Sequence, residues 1–488
     1  MKKSVKSNLQ VMARVLHISG VLLLLVVLII ADGCKVGPNY DRPDPVFDTT
    51  AVYRFDPLEG DSIINLRWWE LFGDQQLADL ITIALQENQD LRIAAARIEE
   101  ARAFLGFTKA DLYPNISVSG QGTRNNFIQT INEQVDARNT FFIAPALSWE
   151  IDFWGKLRRA NEAAVAEMLS TEYGRRSLQI AIISEVAALY FQLLDYDQRL
   201  AISERTLESR RQASTIIEDR FNQGYTAKID LDQARIQEYI AEAAVPLYER
   251  LVAQTENALS IVIGRPPQSI SRGLDLFQQP VPPEIPAGIP ANLLNRRPDI
   301  LQSEQQLIAQ NARVGIAVGA MLPSISLNGF IGTAGNEFSQ LFSTGSMVWS
   351  IGGGIISPLF NFGKNKQRVE IEKERTVQAT EAYYATVLQS IREVEDALIS
   401  IQTLERELDA RVKQRASAES AKSLSRERYE GGVTSYLEVL ENDRSYFQAE
   451  LSAAETQRLY FVSFISLYKA LGGGWIDREE EVGSGNRE

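Results

Sequence analysis

The chain has 488 residues, is 45% hydrophobic and 23% charged, and carries a formal net charge of −13. That balance excludes a disordered chain and a polytopic helical membrane protein, and the acidity argues against nucleic-acid binding, which needs basic surface. Its single histidine, His17, and single cysteine, Cys34, both lie near the start; Ser-His-Asp and Cys-His catalysis, the usual zinc sites and an intrachain disulfide are therefore out of reach, and with no P-loop or GxGxxG the chain does not read as an enzyme.

Residues 1–33 read as an export signal. Lys2, Lys3, Lys6 and Arg14 give a basic start, and Val21 to Ile30 form an apolar core too short for a comfortable membrane span. Cys34 follows at once, with Gly33 before it and Lys35 after it. Two readings stand: a stray cysteine at a signal boundary, or lipid attachment at a new N-terminus. Gly33 suits lipidation, whereas Ala31 and Asp32 depart from the residues usual there. Residues 34–75 form an extended N-terminal segment rich in proline, with Trp68 and Trp69 near its end.

A 3-and-4 spacing of Leu77, Leu80, Ile81, Ala84, Leu91, Ala94 and Ile98 predicts one helix from about Gln76 to Ala110. The period then changes to two. Leu112 to Asn125 and Thr140 to Asp152 read as strands, each about long enough to cross a bilayer at a tilt, or else as a hairpin of a soluble β domain. From Gly155 to Arg220 the pattern is helical and free of proline; such a helix would be about 100 Å long. A tight turn follows, then a return helix to about Ile263 that Pro246 should kink.

The turn Arg220-Phe221-Asn222-Gln223-Gly224-Tyr225-Thr226 recurs as Arg428-Tyr429-Glu430-Gly431-Gly432-Val433-Thr434. Gly224 and Gly432 stand where a helix end wants a residue with positive φ. Thr434 and Ser435 offer an N-cap to the next helix, with Glu438 as a capping-box acid. Other blocks match at an offset of 208 or 209: Asp90 to Gly120 with Asp299 to Gly329, Trp154-Gly155-Lys156 with Phe362-Gly363-Lys364, and Ile263-Gly264 with Leu471-Gly472. The chain is thus an internal duplication. Residues 76–263 form the first repeat, 264–295 a proline-rich connector, 296–472 the second repeat and 473–488 a polar tail. The second repeat brings strands at Ser324 to Gly332 and Val348 to Leu359, and a helix from Gly363 to Arg428. A near-heptad seam runs along that helix from Val387 to Val412.

The predicted class is mixed α+β, with long helical hairpins and four strands per chain. Four strands are too few to close a membrane barrel, which takes at least about eight, and an open edge cannot sit in lipid. If the strands enter a membrane, two or more copies must share one barrel, and spacing alone does not choose how many.

The sequence resembles the TolC/OprM-like outer membrane factor family, in its lipoprotein branch. The motifs are Cys34-Lys35-Val36-Gly37-Pro38-Asn39-Tyr40, Trp68-Trp69, Arg296-Arg297-Pro298-Asp299, Leu322-Pro323 and the two turns, and the likeness covers Cys34 to Gly474. The resemblance implies a homotrimer in the cell outer membrane, with a twelve-strand β-barrel continued by a periplasmic α-barrel. It implies passive export without a cofactor, in a tripartite pump driven by an inner membrane RND-type transporter through a periplasmic adaptor. It implies a covalent lipid on Cys34, N-palmitoyl and S-diacylglycerol. The periplasmic gate maps to Leu437 as an apolar constriction and Glu441 as an acidic ring, where relatives usually have aspartate, with Glu438 and Asp232 as further lining residues. Gly224, Thr226, Gly432 and Thr434 map to the tips that meet the adaptor. An exit duct for type I polypeptide secretion shares the fold; a pore-less coiled-coil lipoprotein would leave the matched strand pairs unexplained.

Overall fold

The computed structural model describes residues 35–45, 47, 53–55, 67–125, 138–283 and 290–473. The predicted export signal, Cys34 and most of the tail lie outside the described residues. The elements are α1 (Gln75–Glu87), α2 (Gln89–Ala110), β1 (Asn115–Asn125), β2 (Arg138–Ile151), α3 (Lys156–Asn222), α4 (Lys228–Val262), α5 (Pro298–Gly319), β3 (Ser324–Gly335), β4 (Met347–Ile356), α6 (Lys364–Glu430) and α7 (Tyr436–Ala470). The duplication is visible in their lengths. Helices α2 and α5 have 22 residues each, α3 and α6 have 67, and α4 and α7 have 35.

The chain divides into two compact units. One gathers the chain up to Pro43, Ile98–Thr171 and Ser303–Tyr383; the other gathers Asp44–Arg97, Glu172–Gln302 and the chain from Tyr384 on. The first holds the sheet, antiparallel throughout and ordered β1-β2-β3-β4. Its register places Asn115 opposite Ser148, Ile151 opposite Ile325 and Ser324 opposite Ile356, so the helices α2, α3, α5 and α6 all join the same end of the strands. The pairing of β2 with β3 passes over Ala144 and Pro145; proline has no N–H to give. Gly332 lets the strands approach there, since a Cβ on it would stand 2.2 Å from Ile143 O.

The extended segment 35–42 is strapped onto this unit. Arg159, wholly buried, donates to the carbonyl oxygens of Val36 and Gly37 and to Asn39 Oδ1, each at 2.9–3.1 Å. Tyr40 and Arg42 both bond the buried Glu304.

The second unit has an aromatic core. Trp68 stacks on Tyr468 at 5.3 Å, and Phe191 on Phe461 at 4.8 Å, with Phe72 among them. Asp74 caps α1 by accepting from Gln76 N–H and Leu77 N–H, and also accepts from Tyr190 Oη and Gln279 Nε2. Arg297 pairs with Asp299 and Glu393 and donates to Ala470 O, tying the start of α5 to α6 and to the end of α7.

The expected single helix from Gln76 to Ala110 is two. Asn88 breaks it with an extended ψ of 129°. Its Oδ1 accepts from Leu91 N–H and its Nδ2 donates to Val262 O. A side chain that satisfies the orphan donors of a new helix start competes with helix continuation. The strands start and end within about three residues of the expected bounds, and α4 runs on through Pro246. The α6 seam is buried at Val387, Val394, Leu398 and Ile401, half-buried at Ile391 and exposed by Val412, so one chain covers only its first half.

Candidate functional site at the helical tips

Both tips end their helices in the same way. Gly224 has φ 76° and Gly432 φ 71°. Gly224 N–H donates to Phe221 O and Tyr225 N–H to Arg220 O; Gly432 N–H donates to Tyr429 O and Val433 N–H to Arg428 O. This paired backbone closure satisfies carbonyls that the helix leaves orphaned, and it needs a left-handed residue that glycine supplies without strain.

The start of the return helix departs from the expected capping box. Ser435 is the N-cap of α7 and makes no side-chain cap bond. Instead the Thr434 hydroxyl donates to the Glu438 carboxylate. The other tip does the same, Thr226 Oγ1 donating to Asp230 Oδ2 at 2.6 Å. Each acid lies one turn into the helix, within reach of the hydroxyl before it, and favours the helix N-terminus. Thr226 and Thr434 are thus occupied within their own turns, and both tip glycines are open, with nothing within 4 Å of a built Cβ.

Beneath the tips, Ile217, Leu231, Ala234, Tyr436, Val439 and Leu440 form a buried cluster, with Phe221 and Tyr429 against it. It joins residues of α3 and α4 to residues of α7. Tyr429 receives Arg220 twice, as a hydrogen bond to its hydroxyl at 2.9 Å and as a cation over its ring. Burial pushes the Tyr436 phenol up to about 12, with a smaller contribution from Tyr429, so it stays neutral.

Of the residues expected to form the gate, Leu437 and Glu441 lie one turn apart on an exposed side of α7. Leu437 is 57% exposed. Glu441 is exposed, and Arg444 Nη2 donates to both its carboxylate oxygens at 2.7 and 2.8 Å. Glu438 is half-buried beside Arg428 at 3.6 Å. Asp232 lies on α4, exposed and 3.7 Å from Lys228. The structure therefore brings Glu438 together with Thr434, but leaves Leu437 and Asp232 facing outward from one chain.

Sequence reasoning missed three features here. Asp230 is the repeat counterpart of Glu438, which the offset could have shown. Arg444 one turn beyond Glu441 follows from helical spacing. The third had no signal: Asp443 on α7 accepts from Arg210 Nε on α3 at 2.8 Å and meets Lys422 Nζ on α6 at 2.7 Å. Arg210 also donates to Gln237 O on α4 and lies over the Phe447 ring. One buried carboxylate thus ties all four helices of the two hairpins. Burial pushes Asp443 up, but Lys422 and Arg210 outweigh it and hold the carboxyl below its ordinary range. The next such centre, Asp195 with Arg199 and Arg458, goes the other way: burial wins and the carboxyl is raised.

Comparison with known proteins gives the same picture over nearly the whole chain. The family model described as "Outer membrane efflux protein" matches residues 80–265 and again residues 289–473. The cation efflux system protein CusC of Escherichia coli O6:H1 is 34% identical over 451 residues, covering 91% of this chain and 96% of that protein. The toluene efflux pump outer membrane protein TtgI of Pseudomonas putida is 32% identical, covering 92% and 97%. The crystal structure of the open state of the Neisseria gonorrhoeae MtrE outer membrane channel superposes with a TM-score of 0.81 at 29% identity, covering 91% of this chain and 99% of that one.

Proposed function

The chain belongs to the outer membrane efflux protein family, and from that premise we propose how its copies make and gate a duct. It is an outer membrane channel, the exit duct of an efflux pump. The open sheet is the observation that carries the assembly: among the described residues, β1 and β4 each pair on one side only. Ile116, Val118, Trp349, Ile351 and Ile355 are 68–74% exposed. Apolar faces suit lipid, but unpaired edges do not. Three copies side by side pair every edge in a twelve-strand barrel.

The homotrimer then surrounds one bore. Leu437 and Glu441 narrow it at the periplasmic tips, with Glu438 and Asp232 beside them. Gly224, Thr226, Gly432 and Thr434 meet a periplasmic adaptor, which couples the duct to an RND-type inner membrane transporter. Cargo passes through passively, without a cofactor. Relatives of similar identity are named for cation and for toluene export, so the cargo class is small toxic compounds, selected upstream by the transporter.

Cys34 carries the lipid anchor, N-palmitoyl and S-diacylglycerol. Its support is the placement of its neighbours: Val36 N–H donates to Trp154 O at 3.1 Å, and Lys35 pairs with Glu162 at 2.6 Å. Both contacts lie near the end of the strands where the helices leave. Assembly is tested on a gel: the unheated protein should run as a trimer and the boiled protein as one chain. A single chain in mild detergent, with no conductance in a planar bilayer, would sink the duct.

A further inference from the structure

The strand-to-helix junction occurs twice, and its two copies differ in how their charge is met. In the first, Lys156 pairs with Glu150 at 2.5 Å and Arg158 with Asp152 at 3.1 Å. Arg159 is buried on backbone oxygens of the N-terminal strap. Trp154 is turned inward, its indole N–H donating to Pro323 O at 2.8 Å. Lys35 covers Gly155 so closely that an added Cβ would stand 2.9 Å from its Cα.

The second junction keeps Lys156 and Arg158 as Lys364 and Lys366, has Gln367 in place of Arg159 and Arg368 in place of Ala160, and loses the carboxylates of the first. At the repeat offset, Pro358 and Phe360 stand where Glu150 and Asp152 stood. Lys364, Lys366 and Arg368 are exposed, and among the described residues no carboxylate lies within ion-pair distance of them. Nothing lies within 4 Å of a Cβ built on Gly363. Leu359, Phe360 and Phe362 are 94%, 78% and 91% exposed, with the two rings 4.5 Å apart. Phe362 holds φ 53°, a left-handed conformation unusual for an aromatic residue, just before Gly363 at 82°.

From this asymmetry we infer that Leu359 to Arg368 is a binding site for anionic phospholipid headgroups. The segment follows directly on β4, whose Ile356 pairs with Ser324 at the edge of the membrane-facing region, the end of the strands where the helices leave the sheet. Given the outer membrane channel reading, on which this rests, that edge meets the periplasmic leaflet. Exposed aromatic rings anchor at such a boundary. Cations without a protein counter-charge, one turn beyond them, draw phosphate oxygens. In the first copy Lys156 and Arg158, the counterparts of Lys364 and Lys366, already have carboxylates and would compete poorly.

The test uses full-length lipidated trimer in detergent, incubated with phosphatidylglycerol or phosphatidylcholine and read by native mass spectrometry. Wild type should retain phosphatidylglycerol in preference to phosphatidylcholine. The Lys364→Gln, Lys366→Gln, Arg368→Gln triple variant should lose that preference, with retention falling about fivefold per charge removed. Lys364→Arg with Lys366→Arg should keep it, and so should Lys156→Gln. Equal retention by the triple variant would overturn the site. So would loss of the trimer in that variant, which would mean that the cations face a second copy instead. A wild-type trimer that binds lipid yet conducts no ions would count against the channel reading and not against the site.

Discussion

Asp443 is the residue whose charge matters most to the tips. Replacing it with asparagine leaves the buried Arg210 and the half-buried Lys422 without this counter-charge, a change that costs about 3–5 kcal/mol. Its folded carboxyl sits below the ordinary value near 3.9, so its stabilisation is complete above about pH 4 and is lost as pH falls through the folded value. Bilayer conductance of wild type should therefore rise on acidification below about pH 4. Asp443→Asn should be raised already at neutral pH and lack that component; a variant indistinguishable from wild type would remove the four-helix tie from gating. Glu441 works differently because it is exposed and shared with Arg444. Glu441→Gln should weaken cation selectivity and divalent block. Arg444→Gln should strengthen them, by less than about fivefold, since an exposed pair contributes below about 1 kcal/mol. Unchanged selectivity in both would sink the acidic ring. Glu441 was legible from the family likeness, but its partner was not considered, because a matched motif names positions and not their neighbours.

At the scale of elements, the glycines that end helices look alike in sequence and differ in cost. Gly432→Ala meets open space and pays only for its left-handed backbone, about 1 kcal/mol. Gly264 ends α4 with the same backbone closure and φ 81°, but a Cβ there would stand 2.4 Å from Glu87 O. Gly264→Ala should therefore reduce trimer yield and melting temperature sharply, where Gly432→Ala shifts them by a few degrees; equal effects would contradict the packing described. Element types were legible because each long segment repeats one period for many turns. The break at Asn88 was not, because the flanking apolar spacing continues across it. What breaks the helix is a bond from Asn88 to Val262, 174 positions away.

At the scale of the whole molecule, the sheet and the α6 seam are both unfinished in one chain. The exposed lower seam and the two free strand edges ask for the same partner, a second copy. Dilution in detergent should therefore lose α6 protection from hydrogen exchange below Ile401 together with the trimer, while the aromatic core around Trp68 and Phe461 stays protected. Loss of both together would mean that the single chain has no stable core of its own.

The amino-acid order by itself determined the duplication, the element types and the two glycine tips. These depend on local period and residue identity, which a chain displays without folding. Only the tertiary structure decided which charges are met and which are left open. Arg210 and Asp443 are 233 positions apart. Lys156 and Lys364 are equivalent by repeat, yet one has its carboxylate and the other faces outward. Charge pairing is a property of distances across space, and those arise only when distant helices pack.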